Sequence, residues 1–411
     1  MAVELIEMQV GIPAFLQRAQ RIVKVKELPA GRLLLAQGFQ PRQTVLEALQ
    51  GLLSVIGHDV LHKRKRPTLP SAPATVKLPA VNAKPKPLRI VVLGAGAMGR
   101  MHAAAYAQMP EVELVDVPAR DAERVRAAIE GGGIDAIDIC LPSEVHARFA
   151  IPALQHGKHV FCETPMALVL DEAQAMRDAA RKAGRLLQVG LLCRSIASYR
   201  HVKEIVSAGT HGRLLSLATW RLGSYLHPDA PDHRAHYGDP TTELMTFDLD
   251  FANWLFGKPV RMRAAGTGEI TALLDYDDGR SASIAAGGLM PPGAPFTVGF
   301  RALFEGAVFE LQQIFRDGPP EIVFTIAEGE AAPRPVDLRG GNPYEIELRR
   351  FVDCIAGKAD PALLDAERAI EALELSLAVK RSLRRAGFSR LRASSGRRAR
   401  GAGVGVPPPG W

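Results

Sequence analysis

Arg89-Ile-Val-Val-Leu-Gly-Ala-Gly-Ala-Met-Gly-Arg100, followed by Met-His-Ala-Ala-Ala-Tyr-Ala-Gln-Met109, reads as a strand, a glycine turn and a helix. Ile90 to Leu93 is a continuous β-branched and apolar run, the pattern of a strand buried on both faces of a parallel sheet. Gly94, Gly96 and Gly99 form G-x-G-x-x-G. Gly94 permits the tight turn, Gly96 lets a pyrophosphate approach the backbone, and Gly99 lets the helix pack closely on the strand. The phosphates would then rest on unpaired N–H groups at the helix N-terminus. The motif alone is weak. Here a second apolar strand, Val112 to Val117, follows at βαβ distance, and dinucleotide binding is the reading. The competing reading is a glycine-rich turn in some other α/β protein.

Working outward, 411 residues exceed one ordinary domain and suggest two with appendages. Hydrophobic residues at 47% are ample for a core. No apolar run approaches the ~20 residues of a membrane span. The start lacks the basic and apolar regions of a signal peptide. Cys140, Cys162, Cys193 and Cys354 are scattered without metal spacing, so a reducing cytoplasm and no metal centre are expected. The net charge of +7 divides unevenly. Residues 1–88 carry +8 and residues 389–411 carry +5, which leaves the centre at −6. A mildly acidic folded centre argues against nucleic acid as a partner.

Residues 1–66 contain two helical stretches, around 12–23 and 44–56, in an extension of no recognised type. Residues 67–88 are rich in proline and read as a linker. From residue 89 strands and helices alternate. Strands are expected at Ile134–Leu141, Lys158–Cys162 and Leu186–Leu192, and helices at Ala119–Glu130, Glu144–Gln155, Asp171–Ala183 and Ile196–Ala208. Such alternation means a doubly wound parallel sheet, a Rossmann domain placed at 89–168. Then come strand candidates with few intervening helices: Leu214–Leu222, Val260–Ala265, Ile270–Tyr276, Ser281–Ala286, Phe296–Leu311 and Ile322–Ile326. They predict an α+β domain over 169–388 with an open, mostly antiparallel sheet, closed by helices at Tyr344–Ile355 and Asp365–Ala386. A disordered basic tail is expected at 389–411.

Gly157-Lys-His-Val-Phe-Cys-Glu-Thr-Pro-Met-Ala-Leu168, one strand after Cys140-Leu-Pro-Ser-Glu-Val-His146, closely resembles the glucose–fructose oxidoreductase / inositol dehydrogenase / rhizopine catabolism (Gfo/Idh/MocA) family. The resemblance covers about residues 89–388 and includes Tyr344-Glu-Ile-Glu-Leu-Arg-Arg-Phe-Val-Asp-Cys354. It implies a Rossmann domain before an open sheet domain, NAD or NADP as cofactor, a small sugar- or polyol-like substrate, and a homodimer or tetramer. By resemblance, Gly94, Gly96, Ala97, Met98 and Gly99 belong to the pyrophosphate turn. Pro142, Ser143 and His146 would line the nicotinamide side, with Glu163 near the nicotinamide ribose. From the residues alone, His146 reads as a solvent-facing side chain in a helix's first turn.

Three departures stand out. The family's Glu-Lys-Pro triplet is Glu163-Thr164-Pro165, and a threonine cannot replace an ammonium as acid or charge. Where the family carries Asp, His and Asp, this chain has Glu243, Phe247 and Asp250, so the histidine is absent while a carboxylate remains. Only residues 117–133 separate the second and third strands, a shortening on the adenosine side. There Asp116 is a candidate for a ribose hydroxyl or simply an exposed strand-end acid. One segment offers replacement groups: Tyr225-Leu-His-Pro-Asp-Ala-Pro-Asp-His-Arg-Ala-His-Tyr-Gly-Asp239 leads into Glu243, with His236 and Tyr237 nearest. A metal on His227, His233 and His236 is a lesser alternative, and a polar loop with hydrogen-bonding roles only is the plainest.

The leading expectation is an NAD(P)-dependent oxidoreductase acting on a hydroxyl-bearing carbon, with Glu243, His236, Tyr237 and Thr164 as candidate catalytic residues. The alternatives are a silent or regulatory family member, or an enzyme using bound nicotinamide for a net non-redox reaction.

Overall fold

The computed structural model describes residues 86–118, 121–226, 239–316, 318–338 and 340–385. The helical stretches at 12–23 and 44–56, nearly all of the linker, the tail at 389–411, and His227, His233, His236 and Tyr237 lie outside the described residues.

The first sheet has five strands, all parallel, in the order β2-β1-β3-β4-β5. They are β1 (Leu88–Leu93), β2 (Val112–Leu114), β3 (Ala136–Ile139), β4 (His159–Cys162) and β5 (Leu187–Val189). Ile90, Val91 and Leu93 are fully buried, as is every residue of β3, which is what crossover helices on both faces require. Those helices are α1 (Ala97–Ala107), α2 (Ala122–Glu130), α3 (His146–Gln155) and α4 (Leu170–Ala183). Among the described residues, α2 is the one helix in the short connection 117–133 between β2 and β3. Its cap is Asp121, whose carboxylate accepts from the Arg124 N–H at 3.0 Å.

The strand order reverses beside β1, since β1 leads to β2 on one side while β3 continues the sheet on the other. A crevice at the carboxyl ends of the strands is the expected ligand site in such a sheet. Helix α4 and strand β5 lie on this sheet, although the sequence reading put them with the second domain. A boundary at 168 therefore cuts through the parallel layer.

The second sheet has eight strands: β6 (Leu214–Leu222), β7 (Arg261–Gly266), β8 (Glu269–Asp275), β9 (Ser281–Gly287), β10 (Phe296–Phe304), β11 (Ala307–Phe315), β12 (Glu321–Glu328) and β13 (Arg334–Pro335). Their order is β13-β12-β11-β10-β6-β9-β8-β7. All neighbours are antiparallel except β6 and β9. The single candidate Phe296–Leu311 is a hairpin, with Glu305 and Gly306 turning β10 into β11. Between β5 and this sheet lies α5 (Ala197–Ala208).

Two helices between β6 and β7, α6 (Pro240–Glu243) and α7 (Met245–Phe256), escape the sequence reading. Helix α7 is buried almost all round, including Asp248 and Asp250, so it shows no amphipathic stripe. Each acid has an arginine: Arg194 grips Asp250 through Nε at 2.9 Å and Nη2 at 2.7 Å, and Arg221 Nε meets Asp248 at 2.9 Å. Helices α8 (Pro343–Ile355) and α9 (Ala366–Arg385) return to the first sheet. Leu348, Phe351, Ile370 and Leu373 join its core, while Val379 of α9 belongs to the second core. Helix α9 thus packs into both layers. Among the described residues no helix is long and apolar enough to cross a membrane.

Candidate active site

The three glycines do different work. Gly94 has φ +137°, and a Cβ there would sit 2.4 Å from the Cys140 carbonyl oxygen. A Cβ on Gly99 would come within 1.9 Å of the Gly94 carbonyl oxygen. Gly96, by contrast, has nothing within 4 Å of a Cβ and stands exposed at the cap of α1. No side chain caps that helix and no acid lies in its first turn. Uncapped N–H groups facing open space suit an anion. Ala97 is exposed beside them and Met98 half-buried.

Next to this turn is a cavity of about 340 Å³ lined by Gly94, Gly99, Arg100, Leu114, Asp116 and Pro118, among others. Asp116 therefore borders the space on the β2 side of the turn. The Arg100 guanidinium is tied back to the Ala95 carbonyl at 2.8 Å.

At the other end, the loop after β3 meets the second domain. Ser143 Oγ donates to Glu243 Oε2 at 3.4 Å, joining residues one hundred positions apart. Glu243 ends α6, whose cap is Asp239. The Asp239 carboxylate accepts from the Thr241 N–H at 2.9 Å and pairs with Lys380 at 2.8 Å. Thr164 Oγ1 is buried and has no hydrogen-bond partner among the described residues. Its backbone N–H donates to Glu163 Oε2 at 3.2 Å. The Phe247 ring lies under a cation, with the Arg221 guanidinium 4.8 Å from its centroid.

His146 departs from expectation. It is 1% exposed, with ring nitrogens 2.7 Å from the Leu141 carbonyl and 3.0 Å from the Pro165 carbonyl. Burial lowers its pKa. A neutral ring donates from one nitrogen at a time, so His146 is a buried latch between the two loops and not the solvent-facing side chain its position suggested.

Sequence reasoning missed the groups beneath Glu163. His102 of α1 is fully buried, with Nδ1 2.9 Å from Asp138 Oδ2 and Nε2 2.8 Å from Glu163 Oε1. Two signals were available. His102 interrupts an alanine-rich helix, and Asp138 is an acid inside an otherwise apolar strand.

Half-buried His159 and buried His146 also set an acid limit. Burial, then the nearby Arg185 charge, pulls the His159 pKa down to about 4, and burial lowers that of His146. The unfolded chain takes up these protons near pH 6.5, while folded His159 waits until about 4. More protons are bound in the unfolded state inside that window, so stability falls as pH drops through it. His102 and Glu347, whose pKa values are raised, act in the opposite sense, so the His159 contribution is read from the variant: between pH 7 and 4.5 the wild-type melting temperature should fall more, or rise less, than that of His159→Gln.

A parallel sheet with an open glycine turn at its switch point, faced by a carboxylate from a second sheet-bearing domain, defines a two-domain dinucleotide-binding protein. The chain belongs to the Gfo/Idh/MocA oxidoreductase family: residues 88–191 match its NAD-binding Rossmann-fold oxidoreductase domain and residues 199–306 the GFO/IDH/MocA C-terminal domain. The scyllo-inositol 2-dehydrogenase (NAD(+)) of Bacillus subtilis is 25% identical over 333 residues, covering 72% of this chain and 94% of that protein. An uncharacterized oxidoreductase of the same organism, YrbE, is 28% identical over 189 residues, 41% of this chain and 54% of YrbE. Among solved structures, the aldose-aldose oxidoreductase from Caulobacter crescentus aligns with a TM-score of 0.63 at 20% identity, covering 73% of this chain and 98% of that one. At that identity the likeness is one of fold.

Proposed function

We propose that the chain moves a hydride between nicotinamide and the hydroxyl-bearing carbon of a small sugar or cyclitol. The observation that carries this is the Ser143–Glu243 contact, which sets a carboxylate of the second domain against the loop that follows β3. The pyrophosphate fits the open space at Gly96 and the uncapped start of α1. Bound nicotinamide would accept or return the hydride at its ring C4, the chemistry no side chain supplies. The chain's own residues handle the proton. In the oxidation direction the substrate O–H bond breaks as the carbon–hydrogen bond does, and the Glu243 carboxylate accepts the proton. His236 and Tyr237, a few residues upstream, are candidates to share it. Thr164, a neutral hydroxyl, can orient but not carry charge. Relatives named as inositol and D-glucoside dehydrogenases support a polyol substrate. A polyol and sugar screen that follows reduced-nicotinamide absorbance tests the reading, and no turnover with any of them would sink it.

Asp116 supports NAD over NADP. Its carboxylate borders the cavity on the β2 side of the turn, where it would accept from ribose hydroxyls and repel a 2′-phosphate. Like charges brought together cost several kcal/mol, so NADH should bind at least about tenfold more tightly than NADPH. Asp116→Ala should narrow that gap. Equal affinities in the wild type, measured by fluorescence titration, would contradict the assignment.

A reducing, cytoplasmic setting suits the four free cysteines. A homodimer or tetramer through the open sheet face is supported by Leu273 and Leu303, which are exposed at positions alternating with buried residues, and by exposed Val323.

A further inference from the structure

Beneath the crevice lies a set of ionisable groups that hydride transfer does not use. Asp138 comes from β3, His102 from α1, Glu163 from the end of β4 and Glu347 from α8. Asp138 and His102 are fully buried and Glu347 is 1% exposed. His102 bridges two carboxyl groups: Nδ1 is hydrogen-bonded to Asp138 at 2.9 Å, and Nε2 lies 2.8 Å from Glu163 Oε1 as a close ion-pair contact without hydrogen-bond alignment. Cys140 Sγ is 3.2 Å from His102 Nδ1. A Glu347 oxygen lies within 4.8 Å of both His102 and Glu163, and neither Glu347 oxygen has a hydrogen-bond partner among the described residues. Gly190 makes room for Glu163, because a Cβ there would come 3.1 Å from Oε2.

The charges arrange themselves. Burial opposes a charged His102, but the Asp138 charge, hydrogen bonds to Asp138 and Cys140, and the Glu163 contact outweigh it and push its pKa up. Burial first, then the Glu163 charge, raises the Glu347 pKa well above the usual carboxyl range. An imidazole of raised pKa between two carboxyl groups, with a carboxyl of raised pKa alongside, is an arrangement in which buried charge is shared between partners. A lone buried charge has no such partner.

Of the three carboxyl groups, Glu163 is the one that reaches out of this cluster. Its side chain is 13% exposed, and it stands at the carboxyl end of β4, beside the strand whose loop carries Ser143. Ligands of such sheets bind at those strand ends. His102 sits on α1, the helix whose N-terminus faces the pyrophosphate space.

We propose that His102, anchored on Asp138, is a positioning residue that holds Glu163 where its carboxylate accepts the hydroxyls of the cofactor's nicotinamide ribose. One helix then sets both the pyrophosphate contact and the ribose contact. The assignment rests on the nicotinamide reading above. A ligand-orienting carboxylate locked by a buried partner loses precision when that partner is removed.

The test compares NADH with ADP, which lacks the nicotinamide ribose, by titration of the purified protein. Charge-assisted hydrogen bonds are worth ~1.5–3 kcal/mol, so Glu163→Gln and His102→Asn should each weaken NADH by about tenfold or more and leave ADP within about twofold. The double variant should be no weaker than the worse single one, since both remove the same contact. His102→Gln, whose longer amide can still donate toward Glu163, should recover part of the loss. If His102→Asn does not fold, the isosteric Asp138→Asn carries the same expectation. Equal losses for NADH and ADP would mean a structural role only and would overturn the proposal. So would a loss in Glu163→Gln with none in the His102 and Asp138 variants. A stoichiometric divalent ion whose chelation reproduces the His102→Asn loss would replace it with a metal site. A wild type that binds ADP but no NADH would instead fail the nicotinamide reading itself.

Discussion

Gly96→Asp should abolish nicotinamide binding while the protein melts no lower than wild type, whereas Gly99→Ala should disrupt the nucleotide domain. The two glycines are three residues apart, yet their surroundings are opposite. Gly96 has extended backbone, φ −71° and ψ −172°, and caps α1 with open space beyond it. An aspartate suits that position and would cap the helix's own N–H groups, a gain of about a few tenths of a kcal/mol over glycine. Those same groups are then unavailable to the pyrophosphate, and a negative charge occupies its place. NADH affinity should drop beyond measurement. At Gly99 a single methyl would lie 1.9 Å from the Gly94 carbonyl oxygen. The obstacle is backbone and cannot rotate away, so helix and strand must separate. Overpacking against movable side chains already costs ~1–3 kcal/mol, and the total stability of a domain is only ~5–15 kcal/mol. Loss of at least about 3 kcal/mol is expected for Gly99→Ala in urea melts. Retained NADH affinity in Gly96→Asp, or a wild-type melt in Gly99→Ala, would reject this account.

Glu243→Gln should lower turnover by ~10²-fold or more with cofactor affinity intact, because the amide keeps the size and loses the proton acceptor. The carboxylate is held at the crevice by two independent supports. Ser143 reaches it from the first domain, and the α6 turn behind it is fixed by Asp239 and Lys380. His236→Ala and Tyr237→Phe test whether the proton is shared with the preceding segment, and each should also cost ~10²-fold if it is. Thr164→Ala should change turnover only a few-fold. The Arg221 guanidinium over Phe247 belongs to a buried pair with Asp248, so it supplies positive charge near the vacated histidine position without being able to exchange a proton. If Glu243→Gln and both segment variants stay within about threefold of wild type, proton transfer runs elsewhere.

What could be read from the chain was what is local. The strand, glycine turn and helix at 88–107 are contiguous, and each glycine's task follows from its own spacing. Strand β6 at Leu214–Leu222 and helix α8 within a residue of its expected start were legible for the same reason, since alternation and helical spacing are properties of a short window. Family membership also rested on two short segments, 140–146 and 157–168.

The remainder depends on contacts between distant residues. Helix α7 was invisible to pattern reading because burial on every side erases the stripe that marks a helix, and only the fold provides Arg194 and Arg221 for its two acids. The parallel pairing of β6 with β9 and the turn inside 296–311 were set by partners far along the chain. His146 reads from its own window as solvent-facing and is instead buried under two loops, because the carbonyls that capture it come from Leu141 and Pro165. Ser143 finds Glu243 across one hundred residues, and Asp138, His102, Glu163 and Glu347 meet from four separate elements. Which backbone could receive a dinucleotide was legible in the chain alone, since that depends on missing Cβ atoms at fixed spacing. Which side chains face the cofactor, and which are buried beneath it, was decided only when the two sheets and helices α8 and α9 packed together, because burial and partnership are properties of the assembled core.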